Sequence, residues 1–478
     1  MKSLAVQGLY ERLPIFFQNA ACSYLGWKEG RVRFNKLFHR QLAFLMESEK
    51  WSGAEIEAYQ SEELRSLIGN AYENVPYYRD LMKSSGLTPE AIRKRSDLAK
   101  LPILTKEIVR NNLERLISER ADRRSLVFRH TSGTTGKSLH FYSEKSGIAF
   151  QWAVWWRHRK RFGIDFGTWH VNFTGKVVVP LGQQGAPFWR WNRPMQQVLV
   201  GMQHLTPVKA PALISFLNES RFELFTGYPS IVHAFVLAAR ECGLELSARP
   251  KLVSTGAENL LDYQRHDIVE YTGAVLTDTY GLSEGCGNAS HCPEFVYHED
   301  SEFGIVECVD PVPLEGGRTR GRIVCTGFAN PAFPFIRYDT GDMGIWGDPQ
   351  AACPCGRKSR LLLSIEGRAD DYVVTPEGNR IMRFDYIFKD STHVRESQVV
   401  QEKPGEVVVK IVKRPSYSAR DEQSISKEIH NWISPHLGVR FRYVDEIERE
   451  SNGKFKAVKS VMGQGSLGEG RPEMAHAN

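Results

Sequence analysis

The spacing of apolar residues changes along the chain and divides it into blocks. Residues 1 to about 120 are charged, with apolar positions in helical rhythm and breaks at Pro76, Pro89 and Pro102. From about 125 to 280, short apolar runs alternate with helix-length segments. Ser125-Leu126-Val127-Phe128, Lys176–Val179, Glu223–Thr226 and Lys251–Ser254 read as strands. Ser230–Cys242, which follows Gly227-Tyr228-Pro229 and stops at Gly243, and Asn259–Tyr271 read as helices. This alternation predicts parallel strands with helices on both faces. From about 300 to 365 the pattern turns to short strands with Gly/Pro turns, which predicts a small β-subdomain. Beyond Gly367 lies a separate block: Asp371-Tyr372-Val373-Val374, a turn at Gly378, a strand over Val407–Val412 and a helix over Asp421–Ile433. The expected fold class is therefore α/β. A large N-terminal domain over 1–367 has mixed and parallel sheets flanked by helices. A small mobile α+β domain covers 368–462. The last residues, 463–478, lack apolar side chains to bury and are expected to be disordered.

Length changes this picture little: 478 residues exceed one compact core and call for two or three domains. Apolar content of 41% with 11% aromatics fits a globular protein. Lys and Arg total 62 against 56 acids, mostly interleaved, so no nucleic-acid surface is implied. The run Arg157-His158-Arg159-Lys160-Arg161 stands out and reads as a solvated helix face. Trp152, Trp155, Trp156, Trp169, Phe188, Trp189 and Trp191 read mostly as core, with a share left for an apolar pocket. No run reaches the roughly 18–20 apolar residues that span a bilayer. The apolar start of the chain is interrupted by Glu11 and Arg12 and reads as an amphipathic helix that packs on the body or touches a membrane surface, not a signal peptide. The cytoplasm is the default location, and nothing in the sequence excludes a homodimer.

Candidate chemistry begins at Thr131-Ser132-Gly133-Thr134-Thr135-Gly136-Lys137-Ser138, just after the first strand. Small and hydroxylated residues let backbone N–H groups close on a polyphosphate, and Lys137 adds a cation. It is no Walker A loop, because Thr131 stands where that motif needs glycine. Ser254-Thr255-Gly256-Ala257-Glu258 follows a strand and is expected to open a helix, presenting backbone donors. In Asp278-Thr279-Tyr280-Gly281-Leu282-Ser283-Glu284, Tyr280 suits base stacking, Ser283 a phosphate and Glu284 a Mg²⁺ ion. Asp342, on the Gly turn of Arg337-Tyr338-Asp339-Thr340-Gly341-Asp342, suits a ribose diol, and Lys454 follows a glycine in Ser451-Asn452-Gly453-Lys454.

The eight cysteines point to reduced thiols or a metal site. Cys353-Pro354-Cys355 is a tight turn, with Cys286, His291, Cys292 and His298 upstream. Two thiols from one turn plus a Cys and a His from another make a structural Zn²⁺ tetrahedron. Cys292, His298, Cys353 and Cys355 are the preferred ligands, with His291 or Cys286 as substitutes.

The order of these motifs resembles the adenylate-forming superfamily of acyl-CoA synthetases and peptide-synthetase adenylation domains. Within it, the chain looks like the branch of phenylacetate–CoA ligases and CapK-like capsule-biosynthesis adenylating proteins, over about residues 70 to 460. The resemblance implies an ATP-dependent, AMP-forming ligase that activates a small carboxylic acid as its acyl-adenylate and passes the acyl group to CoA. Alternatives are an amine, hydroxyl or carrier-protein thiol as acceptor in polysaccharide or secondary-metabolite synthesis, or a nucleotide-binding scaffold without turnover. It implies that Thr131 to Lys137 grip the ATP phosphates, that Glu258 and Tyr280 bracket the adenine, that Glu284 ligates Mg²⁺ and that Asp342 holds the ribose. Gly256, Ala257, Asp278, Thr279 and Ser283 fall in the same nucleotide segments. Gly367-Arg368-Ala369-Asp370 matches the interdomain hinge, with Arg368 near the ribose and Asp370 as pivot. Lys454 matches the lysine on the carboxylate and α-phosphate, although the usual Pro and Thr before it are absent and Lys456 lies two residues on. Tyr228 and Pro229 fall at the acyl-site aromatic. Members of the branch often carry a comparable Cys/His zinc set.

Overall fold

The computed structural model describes residues 9–130, 139–368, 373–376, 380–381, 385–388, 393–450 and 455–460. The helical rhythm of the first block forms α1 (Ile15–Arg33), α2 (Lys36–Ser48), α3 (Gly53–Asn74), α4 (Pro76–Ser84) and α5 (Lys106–Asn111). Ser52 and Glu55 cap α3 reciprocally, and Pro76 opens α4 at a position where its missing N–H costs nothing. A hairpin of β1 (Val127–His130) and β2 (His140–Ser143) follows, and then α6 (Lys145–Arg161).

The α/β block carries β3 (His170–Thr174), β4 (Trp189–Asn192), β5 (Gln197–Gly201), α7 (Ala210–Ser220), β6 (Leu224–Gly227), α8 (Pro229–Glu241), β7 (Leu252–Gly256), α9 (Asp262–Thr272) and β8 (Val275–Gly281). β5, β3, β6, β7 and β8 pair in parallel. Strands β9 (Asn288–His291), β10 (Tyr297–Glu299), β11 (Gly304–Pro313), β12 (Thr319–Gly327), β13 (Tyr338–Trp346) and β14 (Leu361–Arg368) are antiparallel. They do not stand apart as a subdomain. β9 pairs with β8 and β10 with β14, so one sheet of twelve strands runs in the order β11-β12-β13-β14-β10-β9-β8-β7-β6-β3-β5-β4. One apolar core, around Val171, Phe225, Val232 and Val253, fills the parallel arm, and another, around Leu67, Phe141, Ile323 and Tyr338, fills the antiparallel arm.

β15 (Val373–Val374) and β16 (Arg380–Ile381) form a short pair. β17 (Val394–Lys403), β18 (Glu406–Lys413), α10 (Ala419–Trp432), β19 (Gly438–Tyr443) and β20 (Val458–Ser460) complete the chain, with a four-stranded sheet ordered β19-β18-β17-β20. Ile425 and Ile429 of α10 bury against Val399, Val409 and Ile411 in a core of their own. The tail at 463–478 lies outside the described residues.

Two expectations are corrected. Lys176–Val179 is not a strand: Val178 and Val179 are buried in a loop, and the strand is His170–Thr174 just before it. A run of valines satisfies burial without a ladder. The run Arg157–Arg161 is not a solvated face. Arg157 is fully buried, with Nη2 2.7 Å from Asp300 Oδ1 and Nη1 2.7 Å from Glu302 Oε1, and its Nη1 also donates to Leu45 O at 3.3 Å. Arg161 pairs with Glu49. The acids come from distant segments, so the local pattern could not show them.

This ion cluster ties α2 and α6 to the sheet. Removing its cation leaves Glu302 buried without its arginine and Asp300, among the described residues, with only Arg357 at 3.7 Å, and breaking a buried ion pair costs about 3–5 kcal/mol. Arg157→Met is therefore expected to lower the denaturant midpoint of the large unit strongly at neutral pH, followed by tryptophan fluorescence. An unchanged midpoint would show that the cluster contributes nothing.

Candidate functional site

The ends of β6, β7 and β8 lie side by side at Gly227, Gly256 and Gly281, the C-terminal edge where parallel sheets bind ligands. Alternation along β8 puts Asp278 and Tyr280 on one face. Tyr280 Oη donates to Asp342 Oδ2 at 2.8 Å, and both residues are buried. Burial first, then the Asp342 carboxylate, pushes the Tyr280 phenol well above its usual range, so it stays a donor. Asp342 is further fixed by its own N–H, which donates to Thr340 Oγ1 at 3.0 Å. In the ladder Asp342 stands opposite Arg368, so the backbone brings these two expected ribose residues together. Gly367, next to Arg368, has φ +89° and abuts Asn259 of the β7 loop, a backbone that only glycine adopts without strain.

Glu284, in the turn after β8, is buried, and Tyr338 Oη donates to its Oε1 at 2.6 Å. Arg129 of β1 feels its charge, and burial of that guanidinium is the larger influence. Arg129 and His130 lead directly into the phosphate-loop segment, and His130 pairs with His140 on its far side. The loop Thr131–Lys137 itself lies outside the described residues, as do Asp370 and Lys454. Ser283 is exposed at the rim. Tyr338 and Arg129 were missed by motif reading, although Tyr338, Thr340 and Asp342 share a face by alternation in β13.

The Glu258 segment differs from expectation. It does not open a helix: α9 starts at Asp262, and Ala257 (φ +67°) and Glu258 form a loop at the strand end. Glu258 Oε2 accepts from Ser230 N at 3.2 Å and Oε1 from Phe455 N at 2.7 Å. Burial raises its carboxyl while these amides pull it down, and burial prevails. One carboxylate thus joins the end of β7, the start of α8 beside Tyr228 and Pro229, and the backbone of Phe455. Tyr228 caps α8 with extended backbone, and Pro229 occupies its first turn. Among the tryptophans, Trp155 reaches this edge: its Nε1 donates to Asn288 Oδ1 at 3.1 Å and would sit 3.4 Å from a Cβ on Gly281. Trp169 and Trp191 instead line a cleft of about 450 Å³ near Phe222 and Glu223, at the opposite ends of the strands.

The metal expectation converges on one place. The ligand atoms of Cys292, His298, Cys353 and Cys355 lie within 4.8 Å of one another. Cys292 and Cys353 sulfurs are 3.7 Å apart, and Cys355 Sγ is 3.4 Å from His298 Nε2. Tetrahedral Zn–S bonds of about 2.3 Å imply sulfur separations of about 3.8 Å, so the donor set fits that ion. Neither substitute joins it: His291 Nδ1 accepts from Asp278 N at 3.1 Å, and Cys286 is buried beside Cys325.

Asp278 sits in a buried clamp of its own. Thr255 Oγ1 donates to it at 2.6 Å and Tyr297 Oη at 2.5 Å, while Thr279 Oγ1 donates to Thr255 O at 3.2 Å. Burial pushes the Asp278 carboxyl up from 3.8 to about 6. A raised folded pKa favours folding below the unfolded value, and this contribution is lost as pH climbs from about 4 to about 6. Asp278→Asn should therefore gain stability relative to the parent across that window and hold a constant offset above it. A pH series of thermal midpoints checks the slope, and a pH-independent difference would contradict it.

Comparison with known proteins gives these groups a context. Residues 373–461 match the family model of the CapK C-terminal domain. Protein CapK of Staphylococcus aureus is 24% identical over 465 residues, covering 95% of this chain and 99% of that protein. A phenylacetate-coenzyme A ligase of Thermus thermophilus is 28% identical over 338 residues, 67% of this chain and 72% of that enzyme. The structure of 2-hydroxyisobutyryl-CoA ligase in its postadenylation state superposes with a TM-score of 0.68 at 18% identity, covering 87% of this chain and 91% of that one. In its thioesterification state the TM-score is 0.54 at 20% identity, with 86% and 91% covered. The chain is thus similar along nearly its whole length to CapK and over two thirds of it to a phenylacetate–CoA ligase, and it shares the fold of a CoA ligase that forms an acyl-adenylate.

Proposed function

We propose that this protein activates a small carboxylic acid with ATP as an acyl-adenylate and transfers the acyl group to CoA in the cytoplasm. The observation that carries this reading is the meeting of Tyr280, Asp342 and the Arg368 backbone at one strand edge, with buried Glu284 following Tyr280 in the turn after β8. A carboxylate is a poor electrophile, and adenylation gives it a good leaving group. The protein's work is then in-line positioning and charge neutralisation. Asp342 would hold the ribose, Tyr280 the base and the 131–137 loop the phosphates. Glu284 would hold the Mg²⁺ ion that accompanies ATP. Lys454 would lie on the carboxylate and α-phosphate, a reading supported by the docking of its neighbour Phe455 on Glu258. The closer likeness to a postadenylation state than to a thioesterification state supports an adenylation-type arrangement. Rotation of the 368–462 unit about Asp370 would then admit the acceptor. The Cys292/His298/Cys353/Cys355 set would hold a structural Zn²⁺ outside the chemistry.

A second reading keeps the adenylate and changes the acceptor to an amine, hydroxyl or carrier-protein thiol in polysaccharide assembly. It is favoured by the match of residues 373–461 to the CapK C-terminal domain, because after rotation that unit would face the acceptor. Carboxylate-dependent ATP–pyrophosphate exchange across an acid library tests adenylation, and turnover with and without CoA separates the two acceptors. Absence of exchange with every acid would favour a scaffold without turnover.

Two sets of variants follow. Asp342→Ala should weaken ATP binding in calorimetry. Lys454→Ala should leave binding nearly intact and slow adenylate formation by about 10²–10³. Capture of a supplied acyl-adenylate should suffer far less in the lysine variant. Normal adenylation by Lys454→Ala would move the role to Lys456, and indifference of both would remove the C-terminal unit from the active site. Natively purified protein should carry about one zinc per chain by elemental analysis. Cys353→Ser should lose that zinc and thermal stability more than activity per folded molecule. Zinc-free protein with fully titratable thiols in the folded state would exclude the site.

A further inference from the structure

Helix α1 is fixed to the sheet by one face and leaves the other without a structural role among the described residues. Its inner side lies along β4, the outer strand of the sheet. Gln18 Oε1 accepts from Arg190 Nε at 2.7 Å, Asn19 Oδ1 accepts from Trp191 N at 2.8 Å, and Ser23 Oγ donates to Trp191 O at 3.2 Å. A Cβ on Gly26 would fall 1.8 Å from Asn192 Oδ1, so the helix lies as close to β4 as glycine permits. This contact caps an exposed sheet edge.

The outer side is aromatic. Phe16 is 74% exposed, Phe17 54%, Tyr24 62% and Trp27 48%. The steps from 16 to 20, 24 and 27 are helical, so these rings form one stripe, with Ala20 between them. No charged residue occurs from Ile15 to Trp27. Exposed cations flank the stripe: Arg12 before it and Lys28 and Arg31 after it, with the Arg31 guanidinium 5.1 Å from the centre of the Trp27 ring. Between residues 9 and 40 there are six Lys/Arg and two acids, and one of those acids, Glu29, is paired with Arg33 at 2.7 Å.

We propose that this face of α1 docks on an anionic lipid surface. Trp and Tyr are amphipathic rings that settle at the water–lipid boundary, Phe enters the acyl edge, and the flanking cations meet lipid phosphates. The charge argues against a second copy of the chain, because a two-fold contact through this face would set one net positive surface on another. The attachment of α1 to β4 makes the face a rigid platform, so docking needs no unfolding of the helix.

The test uses the full chain and flotation with phosphatidylcholine vesicles, with and without phosphatidylglycerol. The protein should partition to the anionic vesicles and leave them as salt rises. Lys28→Ala/Arg31→Ala should lower partition about fivefold for each cation removed. Phe16→Ser/Trp27→Ser should lower it at low and high salt alike. The charge variant alters exposed side chains only, and an unchanged thermal midpoint shows that it is folded. Lack of partition at low salt, or partition indifferent to Lys28 and Arg31, overturns the proposal. A dimer in sedimentation that Phe16→Ser/Trp27→Ser dissociates also overturns it, by giving the face to a second copy.

Discussion

The hydrogen bond from Tyr280 to Asp342 closes the sheet on itself, and the candidate site depends on that closure. The two residues belong to β8 and β13, which stand four steps apart in the strand order. Four spacings in a flat sheet would separate them by roughly 19 Å. Strong curl is therefore required, and its source is visible in the ladders. Of the ladders between β13 and β8, the β13–β14 pairing carries two register shifts, and such irregularities add local twist. The curled antiparallel arm delivers Asp342 and Tyr338 to the ends of parallel strands that would otherwise end in open loops.

That edge is also where the two units of the chain meet. Glu258 accepts from Ser230 at the start of α8 and from Phe455 in the C-terminal unit. Further ion pairs cross the same boundary, with Arg414 3.3 Å from Asp267 and Arg395 3.1 Å from Glu241. These contacts are polar, and polar boundaries of this kind permit relative motion. A single buried carboxylate, Glu258, links the start of α8 to the end of β7 and to Phe455.

Much of this was legible in the sequence where local periodicity decides structure. The helices at 229–241 and 419–432 and the strands at 224–227 and 252–256 follow from spacing alone. The clustering of Cys292, His298, Cys353 and Cys355 was legible because a Cys-x-Cys turn places two thiols together at once. The rest depends on distant partners. The valine run at 177–179 reads like a strand because burial and pairing leave the same trace. The cations at 157 and 161 looked solvated because their acids at 49, 300 and 302 are invisible to a local window. Continuity of the sheet through β9, β10 and β14 rests on non-local pairings, and so does the turn of Asp278 into a clamp with Thr255 and Tyr297.

The central claim is that a substrate carboxylate oxygen attacks the α-phosphate of ATP at the Tyr280–Asp342 edge. The most direct measurement uses an acid that supports pyrophosphate exchange, labelled with ¹⁸O in its carboxylate, and follows the products by mass spectrometry after full turnover. The account predicts AMP and pyrophosphate, with one ¹⁸O atom from the acid in each AMP. ADP and phosphate as products, or AMP free of the label, would contradict it.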